Sequence, residues 1–221
     1  MPRQPISEPE SATELVDHAK AKLLATAEAL FARQSIDSVS LREIAQRAGH
    51  RNVAAVQYHF GDRLGLLHAL FEWRVIQMEA PRGRMLAELD ANGMSDDLGG
   101  LLRAICEPIL DLVDDEGVHT YAAFMCQYLT QLRPSGILHA YDLQPVRTAN
   151  LHLLQERVLG IIGGNDIIDG DQRLGLAYLM VMNAIVFADT EKLPIKDPAR
   201  FRARFDEAVR MAAAALAASM D

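Results

Sequence analysis

The chain has 221 residues, half of them hydrophobic, and a formal net charge of −8, so it should fold into one or two domains and is not a wholly basic coat for nucleic acid. Its two cysteines, Cys106 and Cys126, are too few for a disulfide framework, and we expect buried free thiols. The most apolar run, residues 174–188, is shorter than the roughly 20 residues of a membrane span, and residues 1–10 lack the apolar core of a signal peptide. We therefore expect a soluble cytoplasmic protein without a membrane partner.

The charge is distributed unevenly along the chain. Residues 1–75 contain 9 basic and 9 acidic side chains, so the net charge of −8 lies entirely beyond residue 75. Residues 40–63 alone hold four arginines and only two acidic residues. A locally positive segment on an acidic body suits a protein that touches phosphate at one end only.

The N-terminal segment predicts a disordered arm followed by a helix. Residues 1–12 are rich in Pro, Ser and Glu, and Arg3 is their only basic side chain. From residue 13, apolar residues recur at helical spacing as far as Phe31. We expect this first helix to cover the back of the segment that follows.

Residues 40–60 predict two short helices joined by a glycine turn. Ser40 stands three residues before Glu43, which is the spacing of a capping box at a helix start. Gly49 follows the first helix, where the backbone needs a residue that tolerates positive φ. The second helix should run from about residue 53 to residue 60, and the pair forms a helix-turn-helix. The first helix has one apolar stripe, formed by Leu41, Ile44, Ala45 and Ala48.

This segment resembles the DNA-binding end of the TetR family of bacterial transcriptional regulators. The resemblance spans residues 19–70 and rests on the run SLREIAQRAG and on the ending QYHFGDR followed by two leucines. Two departures are His50, at a position that is usually apolar in the family, and a turn one residue longer. In the family the second helix enters the major groove of DNA. The resemblance and the local charge imply phosphate contacts from Ser40, Arg42, Tyr58, His59 and Arg63, and base contacts from Arg51, Asn52, Ala55 and Gln57.

A long helix should connect the helix-turn-helix domain, called the head below, to the rest of the chain, called the body. Asp62 can cap it, and an apolar stripe continues from Leu64 past Pro81 to Leu89. Because proline removes one helical hydrogen bond, we expect the helix to be kinked or broken near Pro81. Trp73 should lie at the junction of head and body.

The remaining sequence predicts helices and no sheet, because no segment alternates with period two for long. The predicted class is all-α with about nine or ten helices, divided into an arm (1–12), a helix-turn-helix domain (13–62) and a ligand-binding and dimerisation domain (63–221). The predicted helices of the second domain cover residues 95–113, 119–132, 145–162, 169–187 and 197–220.

The resemblance also implies a small-molecule pocket and a homodimer. Side chains of this kind are more often core than pocket wall, and the candidate pocket residues are Met85, Leu102, Tyr121, Phe124, Met125, Tyr128, His152, Met180 and Asn183. Family members pair through their last two long helices, and small residues that allow close approach there are Gly175, Ala177, Ala184, Ala212, Ala213, Ala214 and Ala217. Two heads would then meet successive major grooves of a palindromic operator.

Catalytic chemistry has little support in the sequence. It contains no G-x-S-x-G, Walker-type, H-E-x-x-H or C-x-x-C motif, and we expect no enzyme, no metal and no cofactor. The acidic residues Asp166, Asp169 and Asp171 fit a solvated turn better than a cation loop.

The functional hypothesis is a sequence-specific DNA-binding regulator, a repressor in most members of the family, released from its operator by an unidentified small molecule. The alternative is a helical ligand-binding or interaction module that does not bind DNA. The acidic total and the unusual turn at His50 leave this alternative open.

Overall fold

A computed structural model describes residues 12–143, 145–163 and 169–218, and the side chains of the first helix from residue 18 onward. All regular structure in these ranges is helical, which confirms the predicted all-α class. The predicted arm lies outside the described residues except for Ala12. The helices are α1 Ala12–Arg33, α2 Leu41–Arg47, α3 Ala54–Phe60, α4 Arg63–Ala91, α5 Leu98–Cys106, α6 Thr120–Gln127, α7 Ala140–Leu143, α8 Ala149–Ile162, α9 Gly170–Thr190, α10 Leu193–Lys196 and α11 Pro198–Ala217.

Side-chain caps fix the starts of the principal helices. The Ser40 hydroxyl accepts a hydrogen bond from the backbone N–H of Glu43 at 3.0 Å, as predicted. The second half of the capping box does not form, because the Glu43 carboxylate pairs with Arg47 at 3.4 Å instead. Asp62 caps α4 through the N–H of Gly65 at 2.8 Å, also as predicted. The same role falls to Asp97 in α5, Asp169 in α9 and Asp197 in α11.

Helix α4 runs without a break through Pro81, so of the predicted kink or break the break is wrong, while the kink stays a prediction. Proline removes the hydrogen-bond donor for the carbonyl of Gln77, four residues earlier, and its ring crowds the same carbonyl. The buried stripe on both sides of Pro81 holds the 29-residue rod together. A single helix therefore reaches from the head into the body.

Two predicted helices end earlier than expected. The first ends at Cys106, because Pro108 cannot donate to the carbonyl of Ala104, and the chain continues as a 3-10 turn over Glu107–Asp111. The helix predicted over 119–132 changes to a π-helical segment at Tyr128–Leu132. Such single-turn π segments are frequently found at functional sites.

Head and body share one hydrophobic core. Buried residues form a continuous cluster from Leu23 in α1 to Leu216 in α11. The most extensive contact between helices is that of α9 with α11, and α1 packs directly on α6. The start of α4 coincides with the predicted domain boundary, but the core continues across it, and the division into two domains remains a prediction.

The Gln127 side chain of α6 holds the end of the first helix in place. Its amide Nε2 donates to the carbonyls of Phe31 and Gln34, and its Oε1 accepts from the N–H of Ile36 at 3.2 Å. These bonds satisfy backbone groups between α1 and α2 that no helix would satisfy. The position of the helix-turn-helix is thus tied to a body helix.

One helix in the described ranges, α9, is long and apolar enough to cross a membrane by length and composition. From the sequence, the apolar run at residues 174–188 was judged too short to span a membrane. In the folded chain its residues Leu174, Val181, Met182 and Ile185 are buried in the body. Part of the apolar surface of α9 is therefore buried by packing within the chain.

Candidate nucleic-acid interface and body cavity

Helix α3 packs by one face and presents the other to solvent. Val56 and Phe60 are buried against the head core, whereas Gln57 and Tyr58 are exposed, with 80% of Tyr58 accessible. The Tyr58 ring lies edge-on to His59, with ring centroids 5.0 Å apart. The outer face of α3 is therefore free to contact a macromolecule.

The turn before α3 has the predicted glycine and one unpredicted cap. Gly49 has φ +88°, which other residues rarely adopt. The Asn52 side-chain oxygen accepts a hydrogen bond from the N–H of Ala54, the first residue of α3, at 3.0 Å, and its amide N–H groups remain for a base. Ala54 is exposed while Ala55 is half-buried against the core, so Ala54 replaces Ala55 on the outer face. The exposed Arg51 stands beside it.

Arg63 is half-buried, and its guanidinium is bonded to the backbone of the head. Its Nη1 donates to the carbonyl of Ile36 at 2.6 Å, and its Nη2 donates to the carbonyl of Val39. These carbonyls lie just before α2, so Arg63 ties the start of α4 to the start of the helix-turn-helix. These bonds give Arg63 a positioning role in place of its predicted DNA contact. Ser40 and Arg42 are exposed, and their phosphate contacts stay predictions.

Two lysines that the sequence prediction left out stand beside the interface. Lys20 and His50 act electrostatically on His59, and Lys22 Nζ would be 3.6 Å from a Cβ placed on Gly49. The signal was available, since both lysines belong to the helix that covers the helix-turn-helix. The pKa of His59 is lowered, first by burial and then by Lys20 and His50, which favours the neutral form of the ring in the free protein.

The body contains a cavity of about 100 Å³. Tyr121, Met125 and Tyr128, all predicted pocket residues, belong to its wall. Leu102 and Phe124 are buried in the core instead, and Met85, His152, Met180 and Asn183 do not belong to this lining. Residues of the lining outside the predicted set include Val75, Met78, Arg82, His139 and Tyr178.

Arg82 is the least expected member of this wall, since arginine is rarely fully buried. A signal for it exists in the sequence. Position 82 continues the apolar stripe of α4 after Val75 and Met78, so the helix must turn this side chain inward.

The residues predicted to form a dimer contact are only partly accessible. Ala177 and Ala212 are buried between the helices of one chain, so the prediction that they face a partner is wrong for these two. Gly175 lines the body cavity, and Ala184 and Ala213 pack partly against the core. Ala214 and Ala217 are exposed.

Among the residues with a described structure, no group of three or more metal-binding side chains occurs. Asp169 accepts the N–H of Gln172 as the cap of α9, while Asp166 lies outside the described ranges.

The fold and its exposed third helix define a helix-turn-helix DNA-binding protein. The pattern of the family described as bacterial regulatory proteins, tetR family, matches residues 23–70, which cover the second half of α1, the helix-turn-helix and the start of α4. This match identifies residues 23–70 as a domain of that family, and it supports membership of the tetR family and a role as a DNA-binding transcriptional regulator. A search of curated proteins found no match.

Proposed function

We propose that the protein is a cytoplasmic homodimeric repressor that leaves a palindromic operator when a small molecule occupies the body cavity. One observation carries this proposal: α4 begins directly after α3 and also lines the cavity with Val75, Met78 and Arg82. The same rigid helix therefore touches both the candidate effector and the DNA-binding head.

The connection between cavity and head is supported by polar contacts at their junction. Arg74 of α4 binds Glu28 of α1, and Gln127 of α6 holds the carbonyls that follow α1. A ligand that fits the cavity better in one tilt of α4 than in another would shift the head between those positions. Without such a difference in affinity, binding would leave the DNA affinity unchanged.

The proposed base contacts come from Arg51, Gln57 and the amide of Asn52, with Ala54 against a base edge or methyl group. Phosphate contacts would come from the exposed side chains of Ser40, Arg42, Tyr58 and Lys22 and from the half-buried His59 and Lys20. This division separates residues that select a sequence from those that hold any duplex.

The proposed dimer contact uses α9 and α11, which already pack on each other within one chain. Leu176 and Phe187 are 58% and 60% exposed, and Met180 falls on the same face of α9. On α11 the exposed side chains include Met211 and Ala214. A second copy seated on this face would make a four-helix bundle and place two heads about 34–36 Å apart, one turn of duplex.

The test is selection of operator fragments from genomic DNA by the full chain, followed by binding measurements on the selected site. Arg51→Ala and Gln57→Ala should each weaken specific binding by about 1–3 kcal/mol and relax sequence preference. Arg84→Ala, an exposed arginine of α4, serves as the control and should bind as the parent does. Unchanged selectivity in both head variants would contradict the assigned face. If no genomic fragment is retained at micromolar dimer, the chain acts as a ligand-binding module instead.

A further inference from the structure

Arg82 carries hydrogen-bond donors that the described part of the protein does not use. Its side chain is 2% exposed, and neither Nε nor Nη1 has a hydrogen-bond partner. Only Nη2 is bonded, to the carbonyl of Ile105 at 3.2 Å and to the sulfur of Met78 at 3.6 Å. Buried donors without partners are costly, so their survival in a binding protein calls for an acceptor.

The nearest carboxylate does not supply that acceptor. Glu79 Oε1 lies 3.7 Å from Arg82 Nη1, which is longer than a hydrogen bond. Its two oxygens already accept the backbone N–H groups of Asn150 at 2.9 Å and Leu151 at 3.2 Å, at the start of α8. Glu79 thus moderates the charge of Arg82 but leaves its donors unbound.

The other titratable groups of the cavity leave the inner end positive. Burial raises the pKa values of Tyr121 and Tyr178, so both are neutral and can donate hydrogen bonds. Burial lowers the pKa of His139 to about 3, so this ring is neutral as well. Arg133 is neutralised by Asp142, to which it donates at 2.7 and 3.3 Å.

The remaining acid of the lining, Asp171, is exposed and therefore stands toward the solvent side of the cavity. Arg82, in contrast, is fully buried, and we take its side chain to mark the inner end of the cavity. Asp171 therefore repels an anionic group at the entrance, and Arg82 attracts it at the inner end. A molecule with one charged end would be oriented with that end inward.

We propose that the inner end of this cavity binds the carboxylate of a small organic acid, with Arg82 as its counter-ion and the hydroxyls of Tyr121 and Tyr178 as further donors. A single buried cation matches a monoanion better than a doubly charged phosphate. The class of ligand rests on the proposed function, because it names the effector that the cavity would take.

The rest of the lining fits an apolar tail. Met78, Ile105, Met125, Leu151 and Leu174 surround the cavity, and methionine adapts to varied shapes. A cavity of about 150 Å³ admits a benzene molecule, and the 100 Å³ seen here is smaller, so an acid of that size must displace lining side chains or extend out of the cavity. An adjoining open depression shares four lining residues and offers room for a longer tail, these being Leu129, Arg133, Asp171 and Gly175.

The decisive experiment compares acids with their own amides on the full-length protein in the absence of DNA. The probes are hexanoate against hexanamide and benzoate against benzamide, titrated to millimolar concentration by calorimetry and by thermal unfolding. The members of a pair have nearly the same shape and differ in charge. We expect each acid to bind at least about tenfold more tightly than its amide. Equal binding of acid and amide, or no binding of either acid, would overturn the proposal.

The variant Arg82→Met removes the counter-ion while keeping a similar apolar volume. It should lose at least about tenfold in affinity for the acids and nothing for the amides. Its melting temperature without ligand should equal or exceed that of the parent, because a buried charge with two unsatisfied hydrogen-bond donors is removed. A marked loss of stability would show that the donors of Arg82 have partners and would contradict the assignment. Arg84→Met, exposed two residues later on α4, should match the parent in every measurement.

Operator release is measured separately, so the two proposals fail in different ways. If an acid binds but the protein stays on DNA, the anion site stands and the effector mechanism falls. If a neutral molecule binds the cavity and releases DNA while acids do not bind, the effector mechanism stands and the anion site falls.

Discussion

The guanidinium of Arg74 on α4 and the carboxylate of Glu28 on α1 form a bidentate pair. Arg74 Nε donates to one carboxylate oxygen at 2.6 Å, and Nη2 donates to the other at 2.7 Å. A third helix joins the pair, since the hydroxyl of Thr120 on α6 donates to the same carboxylate at 2.6 Å. All three side chains are buried, and the Arg74 guanidinium also lies 4.1 Å from the ring centre of Trp73. Head and body meet at this charge network.

Breaking the Glu28–Arg74 pair should be costly, because the remaining charge would be buried without a partner. Glu28→Gln or Arg74→Met alone should lower the free energy of unfolding by about 3–5 kcal/mol, measured by urea denaturation. The double variant Glu28→Leu with Arg74→Met should cost less than either single change, since no buried charge is left.

A surface pair serves as the control for this experiment. Arg210 and Glu207 form an exposed ion pair on α11, and Arg210→Ala should change stability by less than about 1 kcal/mol. A Glu28→Gln variant as stable as the control would show that the network contributes no more than a surface contact.

The buried histidine His139 should make the protein sensitive to mild acid. The backbone N–H of Tyr141 donates to His139 Nδ1 at 3.2 Å, so this nitrogen must stay unprotonated, and burial lowers the pKa from 6.5 to about 3. The unfolded chain therefore binds more protons than the native state between pH 3 and 6.5. The stabilisation is complete above pH 6.5 and falls as pH decreases, by at most about 1.4 kcal/mol per pH unit.

The measurement is the free energy of unfolding at several pH values between 6.5 and about 4.5, above the range in which carboxylates are expected to titrate. His139→Gln, which cannot take up the proton, should show a shallower loss than the parent. Identical slopes would mean that His139 is accessible to protons in the native state.

The sequence predicted the helix-turn-helix well because local rules decide it. Ser40, Gly49 and Asp62 act through their own neighbours in the chain, and each has the predicted role. The base-facing register was less accurate, since the cap by Asn52 and the longer turn rotate Ala54 outward in place of Ala55. A difference of one residue in a turn changes the facing of a helix by about 100°.

The body was harder to predict because composition does not reveal which surfaces meet. Small residues allow helices to approach closely within one chain or between two chains, and Ala177 and Ala212 serve the contact within the chain. An arginine normally indicates a solvent-exposed position. For this reason Arg63 was interpreted as a phosphate contact, and Arg82 was not included in the predicted pocket. Their partners are backbone carbonyls 23 to 27 residues away, which no local pattern predicts.

Arg42 and Arg63 should affect DNA binding in different ways. The exposed Arg42 is placed to neutralise a phosphate, so Arg42→Ala should weaken binding to all duplexes alike and reduce the salt slope by about 1. Arg63→Ala should instead release the carbonyls of Ile36 and Val39 and lower the stability of the head. Gel shifts over a salt series, together with thermal unfolding, distinguish the two. An Arg63 variant with unchanged stability and a reduced salt slope would restore its role as a phosphate contact.

Gly65 is needed at the junction between α3 and α4, because a Cβ there would lie 2.0 Å from the carbonyl oxygen of Phe60. Gly65→Ala must displace backbone, so we expect lower stability and weaker DNA binding. A Cβ added at Gly160 on α8 would meet no neighbouring side chain or other helix within 4 Å, and Gly160→Ala should stabilise the helix by up to about 1 kcal/mol. Calorimetric melting of both variants tests whether the two substitutions change the stability in opposite directions. A neutral Gly65→Ala would show that the two helices can separate without cost.

The exposed side chain of Phe187 tests the proposed dimer. In a two-fold interface each substitution occurs twice, so Phe187→Asp removes two apolar contacts and introduces two charges. At about 1.5–3 kcal/mol for each buried aromatic side chain, the dimer dissociation constant should rise by about 10²–10⁴. Val146→Asp, which changes an exposed apolar residue on the 3-10 turn before α8, should leave the dimer intact. Sedimentation equilibrium measures both variants, and a Phe187→Asp chain that stays dimeric would move the interface away from α9.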